Sequence, residues 1–179
     1  MIKNVLTGGL AAVAIGISTS ASAFAAASLK IDDIVHSPKP SRAEALAENA
    51  ARHFYTFWNT GDEADLKQAI SPSFADHTLP DGRPQGPDGP AFASNNFRAA
   101  VPDLSVEIRK MVFSGDYATV HMVFRGHFSG TFGTIKGSGQ LIEFSATDLL
   151  KVTKGKVTDN WHIEDNLTLL KQMGLVPMK

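Results

Sequence analysis

The sequence contains no cysteine among its 179 residues. This absence excludes disulfide bonds, thiol catalysis, cysteine-ligated zinc and a bacterial lipoprotein anchor. Long basic runs are also absent, and 17 Lys and Arg residues are balanced by 18 Asp and Glu residues. Because proteins that bind nucleic acids need clustered positive charge, the sequence predicts no nucleic-acid partner.

Patterns typical of metal and phosphate sites are missing as well. The six histidines include no pair spaced four residues apart, and the sequence has no His-Glu-x-x-His motif. It also has no glycine-rich loop of the kind that cradles phosphates. We therefore expect neither a metal site nor a nucleotide cofactor.

The N-terminus carries the one long apolar run. It begins with a single early cation, Lys3, continues through the uncharged residues 5–17 and reaches the small residues 21–23. This order is typical of a secretory signal peptide, with residues 25–27 as a second cleavage site. The run is too short to span a bilayer, and a mitochondrial presequence would carry several arginines. We predict that residues 1–23 are a signal peptide and that the mature protein is exported to the periplasm or secreted, with no membrane attachment.

The rest of the chain is predicted to form a linker and one domain. Residues 24–40 end in Ser-Pro-Lys-Pro and have the composition of a linker, and residues 41–179 are the domain. Apolar residues make up 43% and charged residues 20% of the sequence, as in an ordinary globular protein.

Helical patterns dominate the first half of the domain. Ser41 and Glu44 form a capping box, and the helix that follows ends at Gly61. A short helix follows Asp62 and is expected to stop at Pro72. After a loop rich in Pro and Gly, the run "AFASNNFRAAV" predicts a third helix.

The second half alternates with period two and predicts about four long strands. They lie in "LSVEIRKMVFSG", "YATVHMVFRGHFSG", "LIEFSATDLLKVTKG" and "KVTDNWHIED", separated by glycine-containing turns. Helices first and antiparallel strands afterwards indicate the α+β class, with the helices on one face of the sheet.

Several segments together resemble a known family. They are "FYTFWNTGD", "FADHTLPDGRPQGPDG", "GHFSGTFG" and "TDLLKVTKGKVTDNWHIEDNLTLLKQMGL". In this order they resemble the SnoaL-like polyketide cyclases, also called ester cyclases, of the nuclear transport factor two-like superfamily. The resemblance implies a cone-shaped, curved antiparallel or mixed sheet with three N-terminal helices on its concave face. It also implies a possible homodimer through the open sheet face.

The same resemblance implies a site. In the polyketide cyclases an Asp on the last strand is the general acid/base of an intramolecular aldol closure, which needs no cofactor, and the matching residue here is Asp165. Strand alternation would place it with Trp161 and Ile163 on an apolar face, where burial raises the pKa of a carboxyl group. The alternative is that Asp165 only caps the helix that follows.

Asp148 is the second candidate catalytic residue. It shares its predicted strand face with Phe144, Ala146 and Leu150, and a second carboxyl group nearby would favour acid/base chemistry. The alternative is a strand Asp that pairs with a cation or faces water. Candidate substrate-binding residues are His77, His127, Trp161, Phe54, Phe57, Trp58 and Phe144. Tyr55 is predicted to be exposed, which argues against a steroid-isomerase type of oxyanion site.

Three functions remain open from the sequence. The first is a SnoaL-like cyclase acting on an apolar or aromatic small molecule. The second is a non-catalytic exported protein that binds such a ligand on the same fold. The third is a related isomerase or hydrolase.

Overall fold

The structure is a computed structural model that describes residues 28–177. The predicted signal peptide therefore lies outside the described residues. Within the described range, no helix combines the length and the apolar character needed to cross a membrane.

Two capped helices open the domain. Helix α1 is Arg42–Thr60, and its cap Ser41 accepts a hydrogen bond from the backbone N–H of Glu44, as predicted. Gly61 ends it with a φ of 80°, a left-handed conformation that glycine adopts without strain. The side chain of Asp62 then caps α2, which is Glu63–Ala69. Both ends of α1 and the start of α2 are the ones that the capping residues predict.

The remaining helices frame the sheet. Helix α3 is Asp88–Ala100, so it begins about one turn earlier than the apolar pattern predicts. Helix α4 is Asn166–Gln172 and follows the last strand. It adds a fourth helix to the three that the resemblance implies.

One mixed sheet carries nearly all the strands. Its elements are β1 Lys30–Ile31, β2 Ile34–Val35, β3 Ile70–Asp76, β4 Ser105–Ser114, β5 Tyr117–Phe128, β8 Gln140–Thr153 and β9 Lys156–Glu164. The order is β1-β4-β5-β8-β9-β3, with β2 also on β4. The four long strands pair antiparallel, whereas the edge strands β1, β2 and β3 pair parallel. The predicted α+β cone with a curved mixed sheet is confirmed.

Two segments differ from the sequence-based expectation. Pro72 does not end α2 but lies inside β3, at the sheet edge, where a missing N–H costs no ladder hydrogen bond. Residues 28–40, predicted as part of a linker, contain β1 and β2, both paired with β4. The Gly-rich segment after β5 forms a small separate hairpin, β6 Thr131–Phe132 with β7 Ile135–Lys136.

The core lies between the helices and one face of the sheet. On β5 every second side chain is buried, which is the period-two pattern of a strand with one covered face. Helix α1 contributes Ala47, Ala50, Ala51, Phe54 and Phe57, all at most 1% exposed. This layer leaves a cavity at one end, between the sheet and α3.

Candidate active site

An apolar cavity of about 370 Å³ opens between the sheet, α1, α3, α4 and the loop before α3. Its aromatic lining comprises Trp58, Phe92, Phe97, Phe124, Phe132 and Phe144. The Phe124 and Phe144 rings stack with centroids 5.1 Å apart, and Trp58 meets Phe124 edge-on at 6.0 Å. Such a lining suits a flat, largely apolar molecule.

A smaller chamber of about 30 Å³ adjoins this cavity on the side of the sheet. The two share Trp58, Arg83, Phe124 and Glu164 as lining residues. The smaller space, here called the inner chamber, is also lined by Met122, Ala146, Asp148, Asn160 and His162. It has room for about one or two water molecules, or for one polar substituent of a larger ligand.

Asp148 lies on β8 and is 7% exposed. The hydroxyl group of Tyr55 donates a hydrogen bond of 2.9 Å to its Oδ2 atom. Burial raises the pKa of Asp148 to about 7, although the Tyr55 hydrogen bond and the positive charge of His162 act in the opposite direction. Burial also raises the pKa of Tyr55 well above its usual value, so Tyr55 is a neutral donor. Asp148 can therefore both release and accept a proton near neutral pH.

His162 stands directly across from Asp148 in the β8–β9 ladder. Its Nε2 atom lies 3.1 Å from Oδ2 of Asp76, and its Nδ1 atom lies 3.5 Å from Oε1 of Glu164. Burial acts to lower the pKa of His162, but the two carboxylates outweigh it and raise the pKa to about 9. The side chain is therefore an imidazolium at neutral pH.

The two acids beside His162 are held ionised. Burial acts to raise the pKa of Asp76, but its hydrogen bonds to His162 and to the backbone N–H of Thr78 lower it overall. The hydrogen bond to His162 also lowers the pKa of Glu164. Within residues 28–177, no group of three or more His, Asp or Glu side chains is arranged to hold a metal ion.

The sequence also matches a protein family. The family model of the SnoaL-like polyketide cyclases matches residues 48–173. The chain belongs to the SnoaL-like polyketide cyclase family. No significant match is found among curated proteins.

Solved structures agree with the family. A candidate polyketide cyclase from Bacillus cereus ATCC 10987 is 40% identical, with a TM-score of 0.75 over 84% of this chain and 96% of that chain. IdmH, a candidate polyketide cyclase from Streptomyces antibioticus, is 26% identical, with a TM-score of 0.65 over 72% of this chain and 98% of that one. AclR from Streptomyces galilaeus, named as a candidate hydroxylase, shares the fold at 18% identity, with a TM-score of 0.67 over 75% of this chain and 89% of that chain. Family and fold support a small-molecule enzyme of the cyclase or isomerase type.

Asp165, the residue to which the family resemblance points, does not face the cavity of this SnoaL-like protein. It is exposed, and its side chain accepts hydrogen bonds from the backbone N–H and the hydroxyl group of Thr168. Those hydrogen bonds lower its pKa. The prediction that Trp161, Ile163 and Asp165 point inward is wrong. Pairing with β8 turns His162, which alternates with them along β9, toward the cavity. Ile163 is 78% exposed.

Three other predicted ligand contacts also lie outside the cavity. His77 is exposed, stacks on Trp161 with ring centroids 4.3 Å apart, and contacts Asp159. His127 is exposed and pairs with Asp103 at 2.6 Å. These three candidate residues, His77, Trp161 and His127, form outer contacts rather than pocket walls.

The aromatic predictions divide into two groups. Trp58 and Phe144 line the cavity, as predicted. Phe54 and Phe57 are 1% exposed each and are not among its lining residues, so they belong to the core. Tyr55, predicted to be exposed, is fully buried and touches Asp148, which removes the objection to an inward-pointing tyrosine donor.

His162 and four further polar residues of the site were not predicted to belong to it. Asp76 and Glu164 each end a strand, Asn160 lies within β9, and Arg83 is in the loop before α3. The sequence did contain a signal for Glu164 and Asn160, since they share the His162 face in a strict two-residue alternation. No periodic pattern marks a loop residue such as Arg83.

Proposed function

We propose that this protein is a small-molecule cyclase, or a closely related isomerase, in which Asp148 is the general acid/base. The observation that supports this most directly is a carboxyl group with a pKa of about 7 in a chamber beneath an aromatic cavity. A group whose pKa lies near the working pH is the most effective proton carrier. No cofactor is needed for such a transfer.

The proposed reaction begins on a molecule bound between the aromatic walls. Ionised Asp148 removes a proton from a carbon next to a carbonyl group, and the electron pair moves to the carbonyl oxygen to give an enolate. In a cyclase, the enolate carbon then attacks a second carbonyl group of the same molecule and forms a C–C bond. Protonated Asp148 returns its proton to the new alkoxide, so that atoms and charge balance over the cycle.

The surrounding residues support that role for Asp148. Tyr55 donates to one carboxyl oxygen and fixes the orientation of the group. The imidazolium of His162, held by Asp76, favours the ionised carboxyl group and keeps the pKa of Asp148 from rising further. Both effects keep an ionised fraction available at neutral pH.

Two further features belong to the proposal. The sequence of residues 1–23 supports export, so the protein would act outside the cytoplasm. The outer sheet face exposes Leu149 and Ile163, which supports a homodimer through that face.

Proton exchange in a simple ketone tests the assignment of Asp148. 2-Tetralone is an uncharged bicyclic ketone with acidic α-protons, and enzyme-catalysed exchange in D₂O is followed by NMR. We expect the wild-type protein to accelerate exchange and Asp148→Asn to lose that acceleration while staying folded.

Asp165→Asn is the comparison variant, and we expect it to exchange like the wild type. If Asp148→Asn exchanges normally, or Asp165→Asn is the inactive variant, the assignment to Asp148 is wrong. Tight 2-tetralone binding without exchange in the wild type would instead favour the non-catalytic binding protein.

A further inference from the structure

The donors that contact the ionisable groups of the inner chamber are already engaged. Both ring nitrogens of His162 face carboxylates, those of Asp76 and Glu164. The hydroxyl group of Tyr55 donates to Asp148. These groups tune the proton carrier but have no spare N–H or O–H for a ligand oxygen.

Arg83 is different. Its side chain is 18% exposed, and it lines both the cavity and the inner chamber. Of the five N–H donors of its guanidinium group, one contacts an acceptor in the described part of the chain, Oδ2 of Asp76, at 3.5 Å. That distance is at the long limit of a hydrogen bond. A charged donor with unused capacity therefore stands where the cavity meets the inner chamber.

Asn160 supplies an independent sign of an unfilled polar position. It is 6% exposed and lines the inner chamber. Its Oδ1 atom is buried and has no hydrogen-bond partner among residues 28–177. Because buried polar atoms are nearly always paired, this acceptor indicates an O–H or N–H group in the chamber, such as a water molecule or a ligand hydroxyl group beside the ketone.

The charges of the site indicate what kind of ligand group fits. Around the inner chamber, the carboxylates of Asp76 and Glu164 are matched by the cations His162 and Arg83, so ionised Asp148 leaves one net negative charge there. A ligand carboxylate would add a second negative charge in a poorly solvated place, whereas a neutral carbonyl group would not. When Asp148 takes a proton, the negative charge moves to the carbonyl oxygen, where a cation stabilises it.

We propose that Arg83 binds and polarises the carbonyl oxygen of an uncharged ketone whose aromatic or apolar body fills the cavity. The C–H proton goes to the Asp148 carboxylate, and the electron pair goes to the oxygen held by Arg83. This inference rests on the proposed function, but it adds the residue that recognises the oxygen and excludes carboxylate substrates.

Three bicyclic probes of similar shape test the inference by calorimetric titration: 2-tetralone, tetralin, which lacks the oxygen, and tetralin-2-carboxylate. We expect wild-type protein to bind 2-tetralone about 10-fold more tightly than tetralin, as one hydrogen bond to a charged group implies. Tetralin-2-carboxylate should bind more weakly than 2-tetralone. A tighter carboxylate would overturn the inference without any variant being made.

Arg83→Met should bind tetralin as the wild type does and lose the preference for 2-tetralone. It should also catalyse α-proton exchange of 2-tetralone about 100-fold more slowly. Arg83→Lys keeps the charge and should recover part of both properties, and it replaces Arg83→Met if that variant does not fold. The matched control is Arg52→Met, which removes an exposed arginine paired with Glu48 on α1 and should leave both properties unchanged. A ketone preference that persists in Arg83→Met, or that is undiminished in Arg83→Lys, would contradict the inference.

The two proposals fail in different ways. If the wild type shows an Arg83-dependent preference for 2-tetralone but no exchange, the assignment to Asp148 fails and the recognition by Arg83 stands. If exchange depends on Asp148 but is unchanged in Arg83→Met, the recognition by Arg83 fails and the acid/base assignment stands.

Discussion

At the scale of the residue, Asp148 holds its proton under opposing influences. Burial favours the neutral form, while the Tyr55 hydrogen bond and the charge of His162 favour the ionised form. The balance leaves the pKa near 7, which neither burial alone nor an ordinary surface carboxyl group would give. The proposed chemistry depends on this balance rather than on the presence of a carboxyl group as such.

Removing the Tyr55 hydroxyl group should shift that balance in a known direction. Because its hydrogen bond lowers the pKa of Asp148, Tyr55→Phe should raise it and move the pH dependence of 2-tetralone exchange to higher pH. Tyr117→Phe, at an exposed tyrosine on β5, should leave the pH dependence unchanged. If the pH dependence of Tyr55→Phe instead shifts to lower pH, Tyr55 does not stabilise the ionised form of Asp148.

The same carboxyl group makes folding depend on pH. Its pKa is raised from 3.8 to about 7, so the folded protein binds the proton more tightly than the unfolded chain does. Its contribution to stability is complete below about pH 4 and is lost as the pH rises through about 7.

Asp148→Asn should therefore gain stability relative to the wild type between about pH 4 and 7, by roughly a few kcal/mol. Urea denaturation of both proteins at pH 4.5 and 7.5 measures the difference. A difference in unfolding free energy that is the same at both pH values would contradict the raised pKa.

At the scale of the element, the phase of β9 decides which residues enter the chamber. Local sequence favours Trp161 and Ile163 as the inward face because they are apolar. Pairing with β8 places His162 opposite the inward-facing Asp148 and so sends the apolar residues outward. A one-residue difference in phase exchanges every side chain between the two faces.

This explains how much of the site the sequence could predict. Asp148 was predictable because its apolar neighbours on β8 share its face and are buried. Asp165 was wrongly predicted to point inward. Which face of β9 points inward is set by its pairing with β8, and a local sequence pattern carries no information about that pairing. Arg83 lies in a loop, where no periodicity applies. The fold was predictable because caps, turns and alternation all indicate the same elements.

Asp165 has a role in helix α4 that can be measured. Its side chain caps the helix, and replacing a capping Asp with Ala typically costs about 1 kcal/mol. Asp165→Ala should lower the free energy of unfolding by about that amount without slowing 2-tetralone exchange. Asp165→Asn should keep most of the stability, since Asn is also a good cap. Equal stability of Asp165→Ala and wild type would argue against the capping role.

At the scale of the whole molecule, the fold separates two surfaces. The inner face of the sheet carries the cavity and the chamber, and the outer face carries exposed apolar side chains, including Leu149, Ile163 at 78% exposure and Leu141 at 52%. Because exposed apolar side chains are buried when two copies associate, we expect the outer face to mediate the proposed homodimer.

Ile163→Glu places a charge in that surface and should shift a dimer toward monomer, as measured by sedimentation velocity. Leu167→Glu, at an exposed residue of α4, is the control and should not change the association state. A monomeric wild-type protein at micromolar concentration would contradict the dimer.

If Asp148 carries the proton, its ionisation should govern the pH–rate profile of 2-tetralone exchange. The wild-type rate should rise with pH to a plateau with a midpoint near 7, as Asp148 ionises. Asp148→Asn should show no enzyme-dependent exchange at any pH. A midpoint near 4, or a wild-type profile in Asp148→Asn, would show that Asp148 is not the proton carrier.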